Sequence, residues 1–264
     1  MKRAFFSLFF VVLFFLPSLA CGYFQTESVA GSGNIISQTI DVGGFDQVTL
    51  EGSGNVHIEQ GQTESLSVKM DDNLVRFLDI KVSGNELILG IKRGLDLNPS
   101  QTIVYNLTVK DLRNITLAGS GSFDIERLQL NDLRISLPGS GDIKIESLAA
   151  KELDIDLGGS GSITLDNINV KLIDTALRGS GDIELHGITK EEKVVVRGSG
   201  NYWAEDLQTK TAHVSIPGSA DVTLWVTKEL EIRINGSGDI QYYGQPVVYQ
   251  AGSGSCEITP MGEK

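Results

Sequence analysis

The tripeptide Gly-Ser-Gly begins at Gly31, Gly52, Gly119, Gly139, Gly159, Gly179, Gly198, Gly236 and Gly252, with a Gly-Ser-Ala version at Gly218. From Gly119 to Gly218 the successive starts are 20, 20, 20, 19 and 20 residues apart. A fixed period of this size marks a solenoid, in which one repeat cannot bury its own apolar face and stacks on its neighbours instead.

The residues around the tripeptide say which solenoid. Four after each first glycine stand Phe123, Ile143, Ile163, Ile183, Tyr202, Val222 and Ile240; six after stand Ile125, Ile145, Leu165, Leu185, Ala204, Leu224 and Tyr242. Four before stand Ile115, Ile135, Ile155, Thr175, Val194, Val214, Ile232 and Val248; two before stand Leu117, Leu137, Leu157, Leu177, Val196, Ile216 and Ile234. A ninth-position column, Leu128, Leu148, Ile168 and Ile188, continues inward. Intervening positions are mostly polar. Apolar residues at every second position make strands with one face in and one out. Helical solenoids need a 3.6-residue period, which is absent. The expected fold is all-β, a right-handed parallel β-helix or related β-solenoid with rungs of about 20 residues and Gly-Ser-Gly corners. Glycine suits such a corner because it tolerates positive φ and puts no side chain against the same corner one rung away. The serine hydroxyl is expected to satisfy a backbone group there. A phosphate-binding nest is the other reading of a Gly-rich turn, but no strand–loop–helix context or following lysine supports it.

The first twenty residues read as a targeting segment. Lys2 and Arg3 precede an apolar run from Ala4 to Leu16, and Ser18-Leu19-Ala20 leads to Cys21. This is the form of a secretory signal. Ser18-Leu19-Ala20-Cys21 resembles a bacterial lipobox, so Cys21 is expected to carry the lipid that tethers the mature chain to a membrane; cleavage after Ala20 without lipidation is the alternative. Residues 21–30 read as a tether and 31–264 as a single domain. Its less regular stretch, 56–114, falls in the gap of 67 residues between Gly52 and Gly119 and reads as further rungs with less regular corners. Within that gap Asp71 to Leu78 could form one or two helical turns, and Lys92-Arg93-Gly94 and Asn98-Pro99-Ser100 read as loops. The other cysteine, Cys256, is left as an unpaired thiol, so no disulfide framework is available. The C-terminal segment with Pro260 is expected to cap the open end of the solenoid. Net charge is −12, and loss of Lys2 and Arg3 makes it −12 − 2 = −14. So acidic a surface argues against nucleic acid as a partner.

These rungs, together with the run Phe45-Asp46-Gln47-Val48-x-Leu50-Glu51-Gly52-Ser53-Gly54-Asn55-Val56 and its continuation through Ile58-Glu59-Gln60-Gly61 to Asp72-Asn73-Leu74, carry a family resemblance. Over residues 30–256 the chain resembles the bacterial family called putative auto-transporter adhesin, head GIN domain. The resemblance implies a β-helical protein, secreted or lipid-anchored in the cell envelope, with a proposed role in adhesion. It supplies no catalytic residues.

His57, His186 and His213 stand in no metal-ligand spacing and beside no nucleophile, so all three read as outward strand residues. Seven after each first glycine stand Glu126, Glu146, Asp166, His186 and Glu205, with Glu59 equivalent earlier. Stacked carboxylates repel, and calcium would relieve that; Glu126, Glu146 and Asp166 are the weak candidates for such a site, with Arg127 and Lys144 as nearby counter-charges. No cofactor is otherwise implied. Asn34, Asn55, Asp142, Asp182, Asn201, Asp221 and Asp239, just after the tripeptide, read as corner chemistry. Trp203, Trp225 and Tyr243 occupy outward positions on three successive rungs, a patch suited to a glycan or a protein surface. The expected function is a non-enzymatic, envelope-anchored binding or adhesion module. A polysaccharide lyase or hydrolase on the same scaffold and a self-associating structural component remain open.

Overall fold

The structure, a computed structural model, describes residues 27–264; the signal segment and Cys21 lie outside the described residues. The N-terminal third contributes β1 (Glu27–Ala30), β2 (Ile35–Ile40), β3 (Gln47–Leu50), β4 (Asn55–Gln60), β5 (Ser65–Asp71), β6 (Leu78–Ser83), β7 (Glu86–Ile91), β8 (Leu95–Asn98) and β9 (Val104–Val109). Next come β10 (Asn114–Leu117), β11 (Ser122–Ile125), β12 (Leu128–Gln129), β13 (Asp132–Leu137), β14 (Asp142–Ile145) and β15 (Leu148–Leu157). The stack ends with β16 (Ser162–Leu177), β17 (Asp182–Val196), β18 (Tyr202–Ile216), β19 (Val222–Ile234), β20 (Ser237–Tyr243), β21 (Val247–Gly252) and β22 (Ser255–Pro260).

From β10 onward the chain is a β-solenoid of stacked parallel coils. β13 pairs with β15, β14 with β16, and β16 with β17, so Ile143, Ile163 and Ile183 stand one above another. The apolar columns are buried ladders: Phe123, Ile125, Ile135, Leu137, Ile155, Leu157, Leu165 and Leu185 are each at most 1% exposed. Each such side chain contributes roughly 1.5–3 kcal/mol through burial.

The corner glycines act by proximity. A Cβ on Gly159 would land on the Gly139 carbonyl oxygen, and one on Gly161 on the Gly141 carbonyl oxygen. Gly139, Gly159 and Gly179 do not have positive φ, so close stacking alone requires glycine there. The serine works through its backbone: Ser160 N–H donates to Gly139 O at 3.1 Å and Ser180 N–H to Gly159 O at 3.0 Å, while both side chains are exposed. The expectation that the hydroxyl satisfies the corner is corrected accordingly. The Asn/Asp column is corner chemistry as expected, since Asp182 Oδ1 accepts from Asn201 N–H at 3.0 Å and Asp221 Oδ1 from Asp239 N–H at 3.0 Å.

The 67-residue gap is looped out without loss of register. Gln47 pairs with Asn114 and Asn55 with Ser122, so the Gly52 rung lies directly against the Gly119 rung. The excursion builds the N-terminal end. β7 and β9 add a parallel layer on β3 and β4. Antiparallel strands then cover it, β6 on β7, β5 on β9 and β2 on β5. The reading of this stretch as further rungs is corrected: it is one layer taken out of sequence order plus an antiparallel cap. A short 3₁₀ turn at Val75–Phe77 falls within the segment where helical turns were expected. The last residues of the expected tether, Glu27–Ala30, form β1 and pair in parallel with β8. Gly31-Ser32-Gly33 is not a stacking corner either. Asp71 accepts from Gly33 N–H at 2.7 Å and from Ser100 N–H and Oγ at 2.9 and 2.7 Å, and Asp72 accepts from Ser32 Oγ and Asn34 Nδ2 at 2.5 and 2.8 Å. The Ser100 hydroxyl is the main cause that holds the Asp71 carboxyl below its usual range.

Two further registers differ from simple counting. The 19-residue spacing arises at the second corner, where Leu165 pairs with Leu185 but Ile168 pairs with Gly187. One residue is missing from β17, so Ile188 falls beside Asn169 and is 56% exposed instead of joining Ile168 inside. A one-residue slip in a strand turns the side chain to the other face. At the last corner Ser255 pairs with Ser237, so Gly254 rather than Gly252 stacks on Gly236.

Candidate binding face

Outward residues of a stacked sheet form rows across coils, and one row gathers near the second corner of β16 to β20. His186 lies with Nδ1 2.9 Å from Asp166 Oδ1 and Nε2 3.1 Å from Glu184 Oε1. Both ring nitrogens are engaged by carboxylates on adjacent strand positions, which leaves neither free to act on a ligand. Beyond it the chain swells. Ala204 pairs with Leu224 and Gln208 with Trp225, so Glu205-Asp206-Leu207 bulges with no partner on β19.

Trp225 sits beside that bulge and pairs in register with Tyr243 on the next coil. The Lys264 ammonium stands over both rings, 5.9 Å from the Trp225 centroid and 5.0 Å from that of Tyr243. It also donates to Glu205 O and Asp206 Oδ1, each at 2.5 Å. That hydrogen bond is the main reason the Asp206 carboxyl is held below its usual range. Trp203 pairs with Thr223, two residues before Trp225, so the two tryptophans are diagonal neighbours rather than directly opposed. Thr223, between large outward side chains, is only 7% exposed. Trp203, Trp225 and Tyr243 are all half-buried. The face thus pairs flat rings with a carboxylate, a peptide carbonyl and one ammonium.

The expected cation ladder lies further back. Glu126 and Glu146 are exposed and share clefts with Arg127 and Lys144, while Asp166 is engaged by His186. Among the described residues, no group of three or more His, Cys, Asp or Glu side chains is placed to hold a metal ion. His57 and His213 face outward beside Asp124 and Glu231, at 3.9 and 2.9 Å. Cys256 is a free, half-buried thiol whose pKa burial pushes up.

One polar group is inside. Glu192 is fully buried, with Tyr202 Oη donating to Oε1 at 2.5 Å and Thr209 Oγ1 to Oε2 at 2.9 Å. Burial pushes its pKa up to about 7. It occupies the column six before the first glycine of the corners from Gly139 to Gly236, between Ile173 and Ala212. That column reads Leu133, Leu153, Ile173, Glu192, Ala212 and Leu230. The lone acid in an apolar column, followed by a small residue that leaves room, is the sequence signal for it. Glu184, Asp206 and Lys264 are the outward-face residues that spacing alone did not select.

Comparison with known proteins gives a consistent picture. A crystal structure from Parabacteroides distasonis described as a "Putative lipid binding protein" superposes with a TM-score of 0.82 at 27% identity, covering 89% of this chain and 100% of that one. A "putative adhesin" from Parabacteroides merdae gives 0.83 at 21% identity, covering 89% and 99%. Another from Parabacteroides distasonis gives 0.78 at 21% identity, covering 89% and 100%. None of the curated proteins matches the chain. The profile of the family described as "Putative auto-transporter adhesin, head GIN domain" matches residues 44–166 and 152–246, and the chain belongs to that family.

Proposed function

We propose that this chain is an envelope-anchored binding module that holds a glycan on the outward face of β18 to β20. Membership of an adhesin family supports a binding or adhesion role at the cell envelope or surface. The observation that carries the glycan reading is the register of Trp225 against Tyr243, with Trp203 diagonal to them. Sugar rings stack their C–H faces on aromatic rings, and their hydroxyls are suited to acceptors such as Glu184, Glu205 O and Asp206. The interior is filled by stacked side chains, so a ligand of any kind is held on the surface. The chemistry proposed is binding without bond cleavage: both ring nitrogens of His186 lie within hydrogen-bond distance of carboxylates. The N-terminal anchor is a lipid on Cys21, which joins the solenoid to the membrane through residues 22–26.

A glycan array with the full chain tests this. Binding to a defined set of glycans is expected, with loss in the double variant Trp203→Ala/Trp225→Ala. Lys264→Ala uncovers the rings and is expected to retain or tighten binding. Unchanged binding in the double variant would remove the aromatic face from the account. Depolymerisation of an acidic polysaccharide would overturn the non-enzymatic reading.

A further inference from the structure

The two ends of the solenoid are finished differently. At the N-terminal end the stack is closed by antiparallel strands: β5 is paired on both sides, by β2 and β9, and β6, which carries Asp79 and Lys81, covers β7, while β2 is uncharged and pairs with β5 alone. At the C-terminal end β21 pairs only with β19 and β22 only with β20. Among the described residues the far edges of β21 and β22 have no strand partner. An open strand edge is a template for pairing, and charged side chains are the usual means of blunting it. Here they are nearly absent. Residues 245–260 hold one charged side chain, Glu257, in a chain with 34 Asp and Glu and 22 Lys and Arg. Val247, Val248 and Tyr249 are 58%, 36% and 57% exposed, and with Ile188 and Met261 they are the exposed large hydrophobics among the described residues. The core ladders also end unfinished, since Tyr242, Cys256 and Ile258 are only partly buried against the core. The tail, expected to cap this end, runs back toward the previous coil, with Met261 N–H on Tyr242 O at 2.8 Å and Lys264 over Trp225. It leaves β21 open.

We propose that β21 is a dimer interface for a second copy of this chain, joined end to end about a twofold axis. A strand paired with its own symmetry mate must run antiparallel to it, so β21 meets β21 and the three apolar side chains meet their counterparts. Head-to-tail stacking is disfavoured, because the N-terminal end offers strands that run antiparallel to their neighbours, one of which, β6, carries Asp79 and Lys81. The charge distribution favours the same choice: two copies of −12 each repel over most of their surface and meet least repulsion at this near-neutral end. Pro260 ends β22 and removes a donor there, which makes β21 the pairing edge.

Sedimentation velocity of the full-length chain in detergent tests this. The expected result is a species of twice the 28.5 kDa chain mass, with the β21 amides that face away from β19 protected from hydrogen exchange and losing protection on dilution. Val247→Lys/Tyr249→Lys is expected to give a monomer with an unchanged melting temperature. The control Ser37→Lys, on the N-terminal cap, is expected to leave the dimer intact. A wild-type monomer at every concentration overturns the proposal. So does a dimer that persists in the double-lysine variant, or a monomer in which the β21 amides facing away from β19 stay protected, which would assign the edge to a segment of the same chain.

Discussion

Gly158 and Gly159 are neighbours in sequence with opposite surroundings. A Cβ on Gly158 would find only the Pro138 Cα, at 3.9 Å, whereas one on Gly159 would land on the Gly139 carbonyl oxygen. The substitutions Gly158→Ala and Gly159→Ala therefore separate the stacking requirement from a general dislike of alanine at a turn. To accept a methyl at 159 the two coils must part locally. That strains Ser160 N–H to Gly139 O, 3.1 Å, and Gly159 N–H to Leu137 O, 2.9 Å. Two backbone hydrogen bonds at about 1 kcal/mol each, with overpacking of at least 1 kcal/mol, make a cost of about 3 kcal/mol. For a domain of this size that is about 6–12 °C in Tm. Gly158→Ala is expected within about 0.5 kcal/mol of wild type, as at other unencumbered surface sites. Thermal and urea unfolding followed by circular dichroism read both. Equal Tm values for the two variants would refute the close-stacking account of the tripeptide.

Three other outcomes are expected. The Glu192 carboxyl has an ordinary value of 4.5 and about 7 in the fold, so the native state keeps its proton between those limits and unfolding releases it. Its contribution is complete below pH 4.5 and falls as pH rises through about 7, a loss of about 3 kcal/mol. Glu192→Gln removes that part of the pH dependence of urea unfolding, and an unchanged slope in the variant would refute the assignment. Chelation is expected to leave Tm unchanged, because Arg127 and Lys144 line the clefts that hold Glu126 and Glu146, and Asp166 is hydrogen-bonded to His186; a fall in Tm with chelator would reinstate a cation there. Mass spectrometry of the exported chain is expected to show an acylated residue 21, with Cys21→Ser releasing the protein from the membrane; an unacylated N-terminus at Cys21 would refute the anchor.

The stack was legible because a repeating period constrains every rung at once. Phe123, Ile143, Ile163 and Ile183 must share a face whichever corner geometry is used, and they do. What was not legible depends on single insertions. Ile188 has the right spacing from Gly179 but lies after a missing residue, so it turns outward. The three-residue bulge Glu205-Asp206-Leu207 brings Gln208, rather than Glu205, opposite Trp225. The N-terminal cap is not encoded in local alternation, because β7 and β9 join the stack out of sequence order, through long-range pairing. Gly31-Ser32-Gly33 shares its letters with the corners, but the Asp71 and Asp72 carboxylates hold it, and those contacts are 38 and 40 residues distant in sequence. Lys264 over the aromatic rings depends on the path of the C-terminal segment back along the surface, which no spacing records.

The chain has two tryptophans, Trp203 and Trp225, and both stand on the proposed binding face. Tryptophan emission, excited selectively over the six tyrosines, therefore reports on that face. Titration with an oligosaccharide identified on the array is expected to give a saturable change in emission that Trp225→Ala weakens or abolishes. Binding detected by calorimetry with no change in tryptophan emission would place the ligand elsewhere and contradict the account.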